Sequence, residues 1–181
     1  MSDFMHALTP ELTGRPYIGP NSELGDIVKE LIHAAGTIKN AAAMLGVSST
    51  TFSRWRNYAE GRERGVKQKP KTSTKAMVAA IRRAQLNAGK EAEIRNQRIN
   101  IVIDADARVS ETTVRQKIHL KSCEDRGRLA TSMPNDAIGE VMDLWLEGED
   151  ALADETLGEI ISDYYVDGME VEIVHNISFE H

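Results

Sequence analysis

The sequence predicts an α+β protein, with an all-α helix-turn-helix domain near the N-terminus and a mixed α+β domain in the C-terminal half. Three observations support this prediction. Apolar residues recur at helical spacing between residues 21 and 96, alternate with polar residues from Ile99 onward, and recur at helical spacing again after Pro134. We therefore expect only helices in the first half, and two amphipathic helices with an antiparallel sheet in the second.

These patterns divide the chain into four segments. Residues 1–20 contain three prolines and two glycines and predict a flexible arm. Residues 21–61 predict the helix-turn-helix domain, and residues 62–98 predict a basic linker followed by a helix. Residues 99–181 predict an acidic α+β domain.

The composition is that of a globular protein, with 41% hydrophobic and 28% charged residues among 181. Cys123 is the only cysteine, so no intrachain disulfide can form, and we expect a reducing compartment. The first thirty residues lack the apolar stretch of a signal peptide, and no apolar run approaches the roughly 20 residues that span a bilayer. These features predict a cytoplasmic protein without a membrane partner.

The net charge of -6 is distributed unevenly along the chain. Residues 54–98 hold 13 Lys and Arg against 4 Asp and Glu, whereas residues 134–181 hold 14 Asp and Glu and no Lys or Arg. A polyanion attracts the first segment and repels the second. This pattern favours nucleic acid as the partner of the basic segment.

Three consecutive helices make up the predicted helix-turn-helix domain. Apolar residues at i, i+3, i+4, i+7 and i+8 predict that one face of the first helix is buried: Leu24, Ile27, Val28, Leu31 and Ile32. The predicted N-caps are Asn21 or Ser22 for the first helix, Thr37 for the second, and Ser48 or Ser49 for the third. Gly36 ends the first helix, and the second extends to Leu45.

The turn between the second and third helices carries the motif. A helix-turn-helix needs a small residue where its helices touch and a residue that tolerates positive φ in the turn, and Ala42 and Gly46 meet these needs. Apolar residues occupy the positions that lock the two helices together: Ala41, Leu45, Val47, Phe52 and Trp55. A helical hairpin that does not bind DNA is the alternative interpretation.

The third helix is polar on its remaining face, as a DNA-reading helix is. Its predicted DNA-binding residues are Ser49, Thr50, Thr51, Ser53, Arg54, Arg56 and Asn57. The Ser and Thr hydroxyls suit phosphates at the helix N-terminus, Arg54 and Asn57 can reach base edges, and Arg56 suits the DNA backbone. In the linker, Lys67, Lys69 and Lys71 can follow a phosphate strand or the minor groove.

The remaining elements follow from periodicity. Residues 74–96 predict a fourth helix. Extended segments are predicted around Ile99–Asp104, over Val114–Leu120 and over Arg126–Met133. One amphipathic helix is expected from Pro134 and a second after Gly148. After an Asp167-Gly168 turn, a last strand is expected to alternate its apolar residues Met169, Val171 and Ile173.

No pattern of residues predicts enzymatic chemistry. The five histidines lack metal-ligand spacing, and neither a glycine-rich phosphate loop nor a nucleophile elbow is present. Cys123 has no identifiable base beside it and is interpreted as an inert thiol. We therefore expect a protein without metal or cofactor that is not an enzyme by itself.

The order of these parts resembles the terminal proteins of linear actinobacterial chromosomes and plasmids, of the Streptomyces type. The residues that carry the resemblance are the helix-turn-helix, the basic Pro-containing linker, Ile101-Val102-Ile103-Asp104 with Ala107-Arg108, the Pro134 helix, Tyr165-Val166-Asp167-Gly168 before Val171-Glu172, and Ile177-Ser178-Phe179. The resemblance implies a protein of the bacterial nucleoid that binds telomeric DNA and becomes covalently attached to the 5′ end. It also implies two partners, a DNA polymerase and a telomere-associated replication protein.

Protein priming needs one accessible hydroxyl in place of a primer 3′-OH, while the polymerase supplies the metal ions. By the resemblance, this hydroxyl lies between the Ile-rich strand and the Pro134 helix. The candidates there are Ser110, Thr112, Thr113 and Ser122, and Thr112 or Thr113 is favoured because both lie at a predicted strand-to-strand turn. Residues 99–181 would then serve for priming or for dimerisation.

Two further interpretations remain open. A transcriptional or plasmid-partition regulator would use the same helix-turn-helix with a C-terminal domain that forms a homodimer. A ribbon-helix-helix is outlined by Arg126–Met133 and the two helices after it, with Arg126 and Arg128 as base readers. The acidity of those helices favours dimerisation or docking of a partner instead, and an acidic protein that occupies another protein's DNA-binding surface is disfavoured by the basic segment.

Overall fold

The computed structural model describes residues 3–95, 100–120, 137–166 and 168–180. These residues form helices and one three-stranded antiparallel sheet, which confirms the α+β class. The helices are α1 (Phe4–Thr13), α2 (Leu24–Ala35), α3 (Ile38–Met44), α4 (Ser49–Ala59), α5 (Thr74–Gln85), α6 (Ala88–Arg95), α7 (Ala137–Leu146) and α8 (Asp150–Tyr164). The strands are β1 (Asn100–Val109), β2 (Thr112–Leu120) and β3 (Glu170–Glu180).

The chain folds as two compact units. The helical unit comprises Ile18–Leu86 together with Leu146–Glu149. The sheet unit draws its described residues from Met1–Tyr17, Asn87–Trp145 and Asp150–His181. The basic stretch of the sequence therefore divides between the two units after Leu86.

The helical unit is built on one apolar core shared by four helices. Buried residues of α2, α3, α4 and α5 form it: Ile27, Val28, Leu31, Ala41, Ala42, Phe52, Trp55, Met77, Val78 and Ile81. The predicted apolar face of the first helix is thus buried, although α2 begins after Glu23 and receives no side-chain cap. The pair of helices α3 and α4 cannot bury all of its apolar side chains by itself. Helices α2 and α5 cover the rest, and the shared core holds α3 and α4 in position.

The single helix predicted over residues 74–96 is instead two helices. Leu86 ends α5 with an extended backbone (φ -58°, ψ 128°). The Asn87 side chain then accepts hydrogen bonds from the backbone N–H groups of Gly89 (3.0 Å) and Lys90 (3.2 Å). An Asn that satisfies N–H groups at a helix start favours a new helix over continuation of the old one.

In the sheet unit, β1 is the central strand and the order is β2-β1-β3. The extended segment predicted over Val114–Leu120 is present as β2, which pairs with β1 from Ile101↔Leu120 to Val109↔Thr112 without interruption. One face of the sheet is apolar and packs with helices of the same unit. Its neighbours there include Leu8, Ile94, Val141, Met142 and Leu157.

The flexible arm predicted over residues 1–20 is wrong for Phe4–Thr13, which forms α1. Phe4, Met5, Leu8 and Leu12 are buried with at most 4% of their surface exposed. The buried Thr9 hydroxyl accepts a hydrogen bond from Trp145 Nε1 (2.9 Å). An apolar face at helical spacing outweighs the single Pro10 inside the helix, because burial of each large side chain contributes about 1.5–3 kcal/mol.

The alternation predicted for the last strand does not hold for Ile173, which is 54% exposed. The β1–β3 register shifts twice, between Asp104 and Ala105 and between Asp106 and Ala107. Each shift inserts one extra residue into β3 and reverses the faces beyond it. Val171 is buried as predicted, whereas Ile173 turns to the outer face.

Several predictions lie outside the described residues. These are the strand over Arg126–Met133, the ribbon-helix-helix built on Arg126 and Arg128, the helix start at Pro134, and the positions of Ser122, Cys123 and Asp167. Gly148, where the two C-terminal helices were expected to separate, lies between α7 and α8 with a φ of +76°.

Candidate nucleic-acid interface

The α3–turn–α4 segment has the local geometry that its sequence predicts. Thr37 caps α3, accepting a hydrogen bond from the backbone N–H of Asn40, and Ser48 caps α4, accepting one from Thr51 (3.1 Å each). Gly46 has a φ of +65°. Such a backbone is unstrained for glycine, whereas a side chain at this position would be strained.

The turn is closed by backbone hydrogen bonds and by the core beneath it. The Ala42 carbonyl accepts hydrogen bonds from the N–H groups of Leu45 (3.2 Å) and Val47 (3.0 Å). Phe52 and Trp55 bury one side of α4, with at most 2% of their surface exposed. The opposite side of α4 is thereby held outward in a fixed orientation.

The predicted DNA-binding side chains of α4 differ in exposure. Ser49, Thr50 and Arg54 are exposed, while Thr51, Ser53, Arg56 and Asn57 are half-buried. The Thr51 hydroxyl accepts a hydrogen bond from Ser48 Oγ (3.0 Å), so it is part of the helix cap. Arg56 Nε is buried and has no hydrogen-bond partner among the residues described. Of the two arginines predicted to bind DNA on α4, Arg54 is therefore the exposed one.

The segment Arg62–Lys71, here called the basic segment, was predicted as a linker but returns along α4. The Arg62 N–H donates to the Asn57 carbonyl (3.0 Å), and the Gln68 N–H donates to the Arg54 carbonyl (3.2 Å). The Asn57 side-chain amide donates to the Val66 carbonyl (3.4 Å). Asn57, predicted as a base reader, thus lies at the contact between α4 and the basic segment.

Apart from Arg62, the exposed cations of α4 and the basic segment form no ion pair with any residue in the described ranges. They are Arg54, Arg64, Lys67, Lys69 and Lys71. Three other cations of the basic stretch have partners within the protein. Arg82 is 1% exposed and donates to the Ile18 carbonyl (3.1 Å), Arg62 pairs with Glu60, and Lys75 pairs with Glu149. Lys39 of α3 and Arg83 of α5 are also exposed without an ion pair among the described residues, so most of the unpaired positive charge of the helical unit, but not all of it, lies on α4 and the basic segment.

The hydroxyl candidates lie at the tip of the β1–β2 hairpin. Ser110 and Glu111 form the two-residue turn, and Ser110 adopts a φ of +60°. All three described hydroxyl candidates (Ser110, Thr112 and Thr113) are exposed. Thr113 Oγ1 donates a hydrogen bond to Glu172 Oε2 (3.0 Å), whereas the Thr112 hydroxyl has no partner among the described residues. Of the three described candidates, Thr113 is thus the one whose hydroxyl is hydrogen-bonded to a carboxylate that can accept its proton.

The outer face of the sheet is lined with ion pairs. Arg115 binds Asp104 through two nitrogens (3.1 and 2.8 Å), and its guanidinium holds the pKa of that carboxyl below its usual range. Arg108 pairs with Glu170 and lies 3.5 Å from Glu172, and these carboxylates raise its pKa. Each arginine of this face therefore has its own carboxylate.

Within the described ranges, no helix is both long and apolar enough to cross a membrane. The same residues contain no group of three or more His, Cys, Asp or Glu side chains arranged to hold a metal ion.

Comparison with protein-family models, with curated proteins and with solved structures finds no match for this chain.

Proposed function

We propose that this protein binds double-stranded DNA, with α4 as the helix that enters the major groove. The observation that carries the proposal is the combination on α4 of a buried apolar side and an outward side whose arginine has no carboxylate partner among the described residues. A fixed helix with exposed Ser and Thr at its start and an exposed Arg in its middle suits phosphates at one end and a base edge farther along.

The contacts divide into two kinds. Ser49 and Thr50 lie at the N-terminus of α4, where hydroxyls and the helix dipole favour phosphate. Arg54 reads a base edge, and guanine is its best partner because O6 and N7 both accept from a guanidinium. Lys67, Lys69 and Lys71 contribute affinity that depends on salt and not on sequence.

Selection from a pool of random duplexes tests DNA binding directly. We expect the full-length protein to enrich one short sequence, with an affinity that falls linearly on a log–log plot as the salt concentration rises. A pool that stays random while binding persists would make the protein a non-specific DNA binder. A protein that retains no duplex at low salt would contradict the proposal.

We propose further that the Thr113 hydroxyl primes DNA synthesis, as the resemblance to terminal proteins implies. Its hydrogen bond to Glu172 supports the choice of Thr113 over Thr112. In this step Thr113 Oγ1 attacks the α-phosphorus of a deoxynucleoside 5′-triphosphate and forms a P–O bond. The bond to the β-phosphate oxygen breaks, pyrophosphate leaves, Glu172 takes the hydroxyl proton, and the polymerase supplies the metal ions.

Labelling with a radioactive deoxynucleotide and the host polymerase tests the priming role. Wild-type protein and Thr112→Val should acquire label on threonine, Thr113→Val should acquire none, and Glu172→Gln should slow labelling by about 10²-fold or more. Phosphoamino-acid analysis identifies the residue type. Normal labelling of Thr113→Val would exclude Thr113, and DNA binding with no adduct on any variant would favour the alternative of a transcriptional or plasmid-partition regulator.

A further inference from the structure

The basic segment is fixed to α4 at more than one point. Its start is held by the Arg62 N–H on the Asn57 carbonyl, and its middle by the Gln68 N–H on the Arg54 carbonyl. Between these points, the Asn57 amide reaches the Val66 carbonyl. A chain of flexible lysines would not make such contacts, so the segment has a defined path beside the helix.

Gly65 is also part of the contact between Asn57 and the basic segment. Its φ is +91°, and a Cβ added there would lie 2.9 Å from Asn57 Nδ2. The backbone of Gly65 therefore lies directly against the Asn57 amide, at a distance that no other residue type allows without displacement. We call this contact between the Asn57 side-chain amide and the Gly65 backbone the clip.

The clip determines where two lysines lie. Lys67 and Lys69 flank Gln68, whose N–H is bonded to the Arg54 carbonyl in the middle of α4. Both lysines are exposed and have no ion-pair partner among the described residues. Cations that are already in place bind a phosphate strand without the entropy cost of ordering a loose segment.

We propose that Asn57 and Gly65 are positioning residues, which hold Lys67 and Lys69 beside α4 so that the basic segment contacts the phosphate backbone next to the groove that α4 enters. The proposal rests on the proposed DNA binding by α4. It assigns Asn57 a role inside the protein in place of base reading, because its amide nitrogen is directed to Val66 and Gly65. Gly65 has no side chain that could read a base. We therefore expect substitutions at Asn57 and at Gly65 to have the same effect on DNA binding.

The experiment compares Asn57→Ala, Gly65→Ala and the pair Lys67→Gln with Lys69→Gln on the selected duplex and on random duplex. We expect each change to lower affinity equally on both duplexes and to reduce the salt slope by about 2, roughly 0.9 for each lost phosphate contact. Adding the two lysine changes to Asn57→Ala should lower affinity by no more than about twofold further, because the lysines would already be displaced.

Hydrogen exchange measured without DNA tests the clip independently of the proposed DNA binding. Amide hydrogen exchange at Gln68 should accelerate by about tenfold or more in Asn57→Ala and in Gly65→Ala. Gly36→Ala is the matched control, since Gly36 also has positive φ (+76°) but meets no atom within 4 Å. It should leave both the Gln68 exchange rate and the salt slope unchanged.

Three results would overturn the clip. One is unchanged Gln68 exchange in Asn57→Ala and Gly65→Ala, and another is loss of affinity by Asn57→Ala on the selected duplex alone with an unchanged salt slope. The third is an equal effect of the lysine changes with and without Asn57. Failure of DNA binding itself would instead appear as absence of salt-dependent duplex binding by the wild-type protein, whatever the exchange rates.

Discussion

The two units of this protein differ in how their exposed arginines are paired. On the helical unit, Arg54, Lys67 and Lys69 are exposed and make no ion pair with any described residue. On the sheet unit, Arg108 and Arg115 each bind carboxylates of neighbouring strands. Both surfaces contain arginine, but the arginines of the sheet face are compensated by carboxylates, whereas Arg54 is not. Lys117 of β2 is the exposed cation of the sheet that has no ion pair among the described residues.

This difference shows why charge counted along the sequence does not locate a binding surface. Residues 54–98 carry an excess of Lys and Arg, but Arg82 is buried and Arg95 pairs with both Glu91 and Asp143. An exposed ion pair adds only about 0–1 kcal/mol of stability, but it cancels much of the local field. Under the proposed function, the cations available to DNA are those without an ion-pair partner.

Truncating one core phenylalanine in each unit should distinguish the roles of the two units. Phe52 in α4 and Phe4 in α1 are both fully buried. Phe52→Ala should destabilise the helical unit by about 3–5 kcal/mol and abolish DNA binding, since α4 loses its anchor. Phe4→Ala should destabilise the sheet unit by a similar amount and leave affinity for a duplex within about twofold at 20 °C. Chemical denaturation and fluorescence anisotropy measure the two quantities, and loss of DNA binding in Phe4→Ala alone would reverse the assignment.

A smaller effect concerns the pH dependence of the sheet unit. Burial raises the pKa of Asp154 to about 7, helped by the nearby Asp3 and Asp150, while the hydrogen bond from the Met5 N–H opposes the shift. The folded pKa exceeds the unfolded one, so protonation favours the folded state. This contribution is fully present below the ordinary value of 3.8 and is lost as pH rises to about 7.

Asp154→Asn tests this pH dependence, because the amide oxygen can still accept from the Met5 N–H. We expect the variant to have a higher Tm than the wild type at pH 8 and a flatter Tm profile between pH 4 and pH 7. Asp163→Asn, which removes an exposed carboxylate of the same helix, controls for net charge. A lower Tm of Asp154→Asn at pH 8 would contradict the expectation.

The helix-turn-helix was predictable because its signals are local. Thr37 and Ser48 each cap a helix through an N–H three residues away, and Gly46 supplies the positive φ that the turn needs. The apolar lock at Phe52 and Trp55 follows from helical spacing. The caps and the turn form between residues close in sequence, so the local sequence predicts them, whereas full burial of Phe52 and Trp55 also requires α2 and α5.

Other features depend on contacts between distant residues. Helix α1 is held by Trp145 and Asp154, which are 136 and 149 residues away from their partners. The helical spacing of Phe4, Leu8 and Leu12 indicates a helix, but the neighbouring prolines led to the prediction of a flexible arm. The bulges that turn Ile173 outward arise from the register of β3 against β1, which strict alternation does not reveal.

The candidate site also combines features that the local sequence predicts with features that depend on contacts between separate elements. Exposure of Arg54 on α4 follows from helical spacing, whereas the role of Asn57 does not, because its partners Gly65 and Val66 lie beyond the end of the helix. The sequence does not distinguish Thr112 from Thr113 as the candidate priming residue. The cross-strand contact to Glu172 distinguishes them, and it depends on pairing across the sheet.

Replacing one unpaired and one paired arginine tests base reading by α4 directly. Arg54→Ala and Arg115→Ala remove equal charge from the helical unit and the sheet unit, and their affinities are measured on the selected duplex and on random duplex at one salt concentration. We expect Arg54→Ala to weaken binding to the selected duplex by about 5–150-fold more than to random duplex, and Arg115→Ala to change neither by more than about twofold. Equal loss by Arg54→Ala on both duplexes, or an equal effect of the two variants, would contradict base reading by α4.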